Sequence, residues 1–199
     1  LSRGLGDVYK RQGYIAKGGG KIFHGNNKPH DSLSWDYYFI SKGHTSKSGR
    51  DTNLPKVSTG KGWFNWGPLG VEDNQMQDVK VVNWVKSELK KPHEKPFFLA
   101  CGFYRPHLPW YVPKKYFDNY PLDKIILPET KIDDRNDLPE FGKKLARERY
   151  SASWGTDLNE GIQDHELVLQ HDQWKKGIQA YLASITVSYT HLTLPTNCV

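Results

Sequence analysis

Apolar residues run unbroken from Phe97 to Ala100, and Cys101-Gly102-Phe103-Tyr104 extends the run before Arg105-Pro106-His107-Leu108-Pro109 closes it. A short continuous apolar run predicts a strand over Phe97–Phe103, buried on both faces inside a parallel sheet. Pro106 and Pro109 cannot continue a ladder, so the strand ends near Tyr104. Upstream, Met76, Val79, Val82, Val85 and Leu89 recur at helical spacing and predict a helix over Asp73–Lys91. Lys86, Lys90 and Lys91 suit its carboxyl end, and Pro92 and Pro96 stop it. Helix followed directly by buried strand is half of an α/β unit.

The remaining pattern is weaker. Gly13–Ala16 reads as the tail of a short strand, and Gly18-Gly19-Gly20 as a turn beyond it. Residues Asn26 to Gly70 predict a long irregular excursion, interrupted by Ser34–Phe39 and Gly62–Gly67. Pro113–Pro121 reads as a short helix between prolines and Leu127–Pro139 as loop. Asp164–Ile185 predicts one helix with Trp174, Ile178, Tyr181, Leu182 and Ile185 on a single face. No internal repeat is present.

The two ends change how the chain is counted. Asp7–Gln12 and Val187–Thr196 back-translate into codons that look like the two ends of a transposase-based sequencing adapter, read on opposite strands. The reading divides the chain into residues 1–12 and 187–199, adapter-derived, and residues 13–186, an internal piece of a longer reading frame. On this reading the ends pack poorly and bury little apolar surface.

Charge then adds a direction. The 199 residues carry a net charge of +6. Arg3, Lys10 and Arg11 against Asp7 supply +2 of it, which leaves +4 for residues 13–186. A mildly basic segment suits an anionic substrate and is no nucleic-acid signature. Cys101 is the only cysteine of residues 13–186, so an internal disulfide is excluded there. No apolar run approaches the roughly 18–20 residues of a membrane helix.

Two basic clusters are the candidate chemistry. His107 stands in a stiff loop past the carboxyl end of a strand, the sheet edge where α/β proteins bind ligands. Alone, a loop histidine carries no function. The glycine run, however, displays Lys21 and His24 beyond another strand. It lacks the spacing of a Walker phosphate loop. Asp133-Asp134 invites a metal reading but lies in a polar, proline-bounded stretch and reads as solvated loop. Aromatics such as Trp63 and Trp66 either stack on sugar or base rings or pin the excursion to the body of the protein.

Taken in order, Gly13-Tyr14, Gly20-Lys21-Ile22-Phe23-His24-Gly25, Ser34-Trp35-Asp36, Lys95–Ala100, Gly102–Pro109, Pro113–Phe117 and Ala180–Ile185 resemble the sulfatase family. The Lys21-x-x-His24 spacing is similar to that of the iduronate-2-sulfatase-like enzymes. The resemblance implies an alkaline-phosphatase-like α/β fold, with a mixed, largely parallel sheet between helices. Residues 13–186 would then be an internal fragment of the catalytic domain. It implies sulfate-ester hydrolysis, on a sulfated carbohydrate or another sulfate ester, by a formylglycine and a calcium ion. It implies a periplasmic or secreted protein, with no nucleic-acid or membrane partner. By resemblance, Lys21 binds the sulfate oxygens and His24 handles the proton of the formylglycine hydroxyl. His107 contacts the sulfate and the bridging oxygen, as hydrogen-bond donor or general acid. Arg105, two residues earlier, is placed at the rim to meet an acidic group of the substrate.

The departures are specific. No Cys/Ser-x-Pro-x-Arg formylglycine motif occurs. Cys101-Gly102-Phe103-Tyr104-Arg105 has the Cys-to-Arg spacing but lacks the proline and falls in a predicted strand, so it is a decoy. No metal ligand is identifiable, so calcium is expected in the complete protein on ligands outside this chain, and these residues alone are expected to be inactive. Rival readings are a phosphodiesterase or phosphonate hydrolase of the same superfamily, and a polyanion-binding module without turnover.

Overall fold

The computed structural model describes residues 5–23, 31–41, 64–146 and 164–193. They fall into two compact units, one from residues 1–48, 71–106 and 185–199, the other from residues 49–70 and 107–184. Helices and parallel strands make an α/β arrangement, as the sequence predicts.

The first unit holds strands β1 (Ile15–Gly20), β2 (Tyr37–Phe39) and β4 (Phe97–Gly102), in the order β2-β1-β4, all parallel. β1 carries the first correction. The glycines predicted to form a turn are inside the strand, with Gly18 paired to Ala100 and Gly19 to Cys101. The reason is what lies on the strand. A Cβ on Gly18 would be 2.9 Å from the Trp35 ring, and one on Gly19 2.6 Å from the Trp84 ring. Successive residues face opposite sides of a strand, so aromatic rings press on backbone from both faces. Gly20 has φ +79°, and a Cβ there would meet the carbonyl oxygen of Gly102 at 2.0 Å. Only glycine suits such a position.

Helix α2 (Gln77–Leu89) follows a 3₁₀ turn at Asp73–Gln75 that Glu72 and Gln75 close as a capping box. Its buried side chains are Asp78, Val79, Val81, Val82, Trp84 and Glu88, while Leu89 is exposed. The apolar stripe is therefore rotated from the predicted one. Glu88 turns inward because Lys17 of β1 meets it at 2.6 Å and Lys91 adds a second cation. β4 begins at Phe97 as predicted, but Cys101 is exposed. The other residues of β4 are only half-buried, so the expected burial on both faces is not met.

The described parts of both ends pack in part, while Leu5, Val8, Tyr189 and Leu192 stay exposed. Helix α1 (Leu5–Arg11) stacks Tyr9 on Phe98 with centroids 4.4 Å apart, and Lys10 pairs with Asp36 at 3.1 Å. Val187 and His191 are buried. Helical spacing carries the inward face of the last helix on through them.

The second unit pairs β3 (Trp66–Leu69) with β5 (Trp110–Pro113) in parallel. β3 lies in the stretch predicted as irregular, and β5 takes up Trp110–Val112, to which the sequence pattern assigns no element, with the first residue of the predicted short helix, Pro113. Aromatic and β-branched residues favour the pairing, and Pro68 and Pro113 are tolerated in a two-stranded sheet that is all edge. Helices α3 (Lys114–Asp118) and α4 (Glu140–Ala146) follow. The predicted helix over Asp164–Ile185 is two helices, α5 (Asp164–Gln170) and α6 (Trp174–Thr193). Asp172 breaks it with φ 50°, while the Gln173 N–H closes on the Val168 carbonyl at 2.9 Å. The buried face of α6 is Gly177, Ala180, Ala183, Ser184, Val187 and His191, not the predicted row. Tyr181 and Ile185 are exposed, because small residues let the helix approach its neighbours; Trp66 lies 3.3 Å from where a Gly177 Cβ would be.

Candidate active site

β1 and β4 run parallel, so both open toward the same sheet edge. Past β1, the Lys21 N–H donates to the Gly102 carbonyl at 2.8 Å. The Tyr38 hydroxyl donates to the Gly20 carbonyl at 2.7 Å and accepts from the Ile22 N–H at 3.4 Å. Burial pushes the Tyr38 phenol up, against the Ile22 hydrogen bond, so it stays a donor. The loop is thus bonded on both sides of Lys21. The Lys21 ammonium lies 4.8 Å from the centroid of the Tyr104 ring, within cation–π range.

Past β4, Tyr104 and Arg105 donate their backbone N–H groups to Asp78, at 2.8 Å to Oδ1 and 3.0 Å to Oδ2. Desolvation raises the Asp78 carboxyl. The two N–H bonds and the charges of Arg105 and His191 oppose that rise without cancelling it. Arg105 is 6 % exposed. Its guanidinium carbon lies 5.3 Å from the Tyr104 ring centroid. This corrects the rim placement: the Asp78 charge and the Tyr104 ring draw the side chain inward. Lys21 and Arg105 are thereby brought together on one aromatic ring.

His107 belongs to the second unit and is half-buried. Its Nδ1 lies 2.5 Å from the Leu108 carbonyl. A carbonyl oxygen only accepts, so Nδ1 carries the proton. Nε2 is then an acceptor in the neutral ring and a donor only in the imidazolium. His24 lies outside the described residues.

Although Cys101 is exposed as a residue, local desolvation and the nearby Asp78 charge push its thiol up to about 11. It stays protonated near neutrality and is a poor nucleophile. Among the described residues no three His, Cys, Asp or Glu side chains gather as metal ligands. Asp133 and Asp134 are exposed in a turn. The described residues therefore do not fit calcium. Trp63 lies outside the described residues. Trp66 is buried against Trp110, which is the pinning role. In the second unit Trp66, Trp110, Trp174 and Tyr181 line a cavity of about 280 Å³.

Asp78, Tyr38 and Tyr104 were not legible as site residues. Asp78 reads in sequence as an ordinary first-turn acid, and nothing local announces partners 26 and 27 residues away.

A strand edge that displays a lysine, with a second cation buried behind it, suits a tetrahedral anion. The chain belongs to the sulfatase family. It is 36% identical over 199 aligned residues to a sulfatase of Formosa agariphila, covering 92% of this chain and 35% of that protein. It is 28% identical over 135 residues to the iduronate 2-sulfatase of Homo sapiens, covering 63% of this chain and 24% of that protein. It is 33% identical over 125 residues to an arylsulfatase of Clostridium perfringens, covering 58% and 23%. No family model matches. The chain spans about a third or less of the length of these relatives.

Proposed function

We propose that the complete protein hydrolyses sulfate esters, with a sulfated carbohydrate as the substrate class. The observation that supports this most directly is Lys21. Its backbone is fixed by Gly102, its loop by Tyr38, and its ammonium lies on Tyr104 at the open edge of a parallel sheet. A cation held in place before substrate arrives stabilises charge that grows on the sulfate oxygens, with little reorganisation. His107 acts as its imidazolium. With Nδ1–H engaged by Leu108, the Nε2 proton goes to the leaving alkoxide as the ester bond breaks. His24 moves the proton of the formylglycine hydroxyl. The nucleophile, and any metal ion with its ligands, would come from outside the described residues.

The test uses the complete protein with an aryl sulfate and, in parallel, an aryl phosphodiester. Sulfate release is expected, with His107→Ala lowering turnover by about 10²–10⁴-fold. Lys21→Ala is expected to cost about 10²–10³-fold, the range for one preorganised electrostatic donor. Preferential phosphodiester cleavage would move the protein to the rival hydrolase class. Binding without turnover of either ester would leave a polyanion-binding module.

A further inference from the structure

We propose that Asp78 is a positioning residue for the anion-binding edge of the first unit, acting through the backbone of Tyr104 and Arg105 on Lys21. The proposal rests on the sulfate-ester reading for its substrate and on the geometry for the rest. The carboxylate is 6 % exposed and spans from the first turn of α2 to the exit of β4. One oxygen receives the Tyr104 N–H and the other the Arg105 N–H, at 2.8 and 3.0 Å. Two adjacent donors are thus satisfied by one two-oxygen fork. Tyr104 itself is 7 % exposed, and its ring has Lys21 and Arg105 as neighbours at 4.8 and 5.3 Å. The fork therefore fixes the peptide from which that ring projects.

The chemistry requires a carboxylate. An asparagine offers one oxygen and turns its NH₂ toward the other backbone donor. An alanine leaves two buried N–H groups with no acceptor from this side chain. Burying a carboxylate is costly and gives stability only weakly, even when it is hydrogen-bonded. Its return here is geometric: the exit of β4, and with it the seat of Lys21, has one position. The charged groups facing Asp78 are Arg105, from the segment it clamps, and His191, from the last helix.

The experiment uses the complete protein. Asp78→Asn is expected to lower kcat/KM for an aryl sulfate by about 10–100-fold, the range for outer-layer partners of a site. A calorimetric titration with inorganic sulfate is expected to show affinity weakened at least tenfold. Combined with Lys21→Ala, Asp78→Asn should add little further loss, since both act on one interaction. A purely structural role would instead give additive losses that track the folded fraction. Should Asp78→Asn fail to fold, Tyr104→Leu keeps both backbone donors and removes only the ring. It is expected to reproduce the loss and the non-additivity with Lys21→Ala. Unchanged sulfate affinity, or full additivity in either cycle, overturns the proposal. A wild type that releases no sulfate ends the sulfate-ester reading, and the sulfate titration still decides the role of Asp78.

Discussion

Gly19→Ala tests whether the glycine run is strand or turn. Its new Cβ would lie 2.6 and 2.8 Å from two Trp84 ring carbons and 3.1 Å from the Phe39 Cβ. Carbon contacts are comfortable at about 3.5–4.0 Å, so the ring must retreat by roughly 1 Å. It has little room, because Trp84 is 8 % exposed and stacks on Phe39 at 5.3 Å with an interplanar angle of 5°. Overpacking of this kind costs about 1–3 kcal/mol. Loss of glycine's freedom in the unfolded chain returns about 0.4–1 kcal/mol. The net expectation is a destabilisation of about 1–2 kcal/mol, read as a lower urea midpoint at unchanged slope. Gly142→Ala is the control of opposite sign. It lies in α4, its Cβ would find ordinary contacts at 3.7 Å, and the change should stabilise by about 0.5–1 kcal/mol. Trp84→Leu should relieve the Gly19→Ala penalty in a double-mutant cycle. If Gly19→Ala is as stable as wild type, or its penalty persists beside Leu at position 84, the packing argument is wrong.

Further expectations concern charge and activity. The Glu88 carboxyl is raised by desolvation but held below its ordinary value near 4.5 by its hydrogen bonds and charge pairs with Lys17 and Lys91. The folded value is the lower one, so this stability is full above about pH 4.5 and lost as pH falls through the depressed value. Glu88→Gln should flatten the acid limb of a melting-temperature profile; an unaltered limb would refute the assignment. The chain alone is expected to give no turnover of an aryl sulfate above buffer, and activity surviving repurification would place a nucleophile within it. In the complete protein, the polar heads of Lys21, His24 and His107 should fall within roughly 10 Å of one another around one sulfate. A crystal structure with sulfate bound checks this, and His107 facing away from that anion would refute it.

What the sequence disclosed follows the reach of each signal. β4 was legible because four successive apolar residues and two prolines mark both its ends. The body of α2 was legible from its period, but not its inward face, since turning Glu88 inside depends on a lysine of a distant strand. β1 was misread because glycine is permissive, and only the rings that cover it make an extended conformation compulsory. The break before α6 rests on one left-handed aspartate, a residue equally at home in a helix cap or a turn. That Lys21 and His107 each follow a strand was legible in the sequence, while their roles belong to the proposal. Arg105 was misplaced because its attraction to Asp78 and Tyr104 arises from contact across the fold.

The Nδ1–H bond of His107 also limits how protons travel. With that hydrogen engaged by Leu108, the imidazole cannot pass a proton from one nitrogen to the other, as a relay would. In the proposed role, exchange with substrate and solvent runs through Nε2, one atom that must both give and recover, and turnover would include a recharging step at the position just vacated. A proton inventory in mixed light and heavy water would then count one transferred proton at this residue, where a through-ring wire would count two.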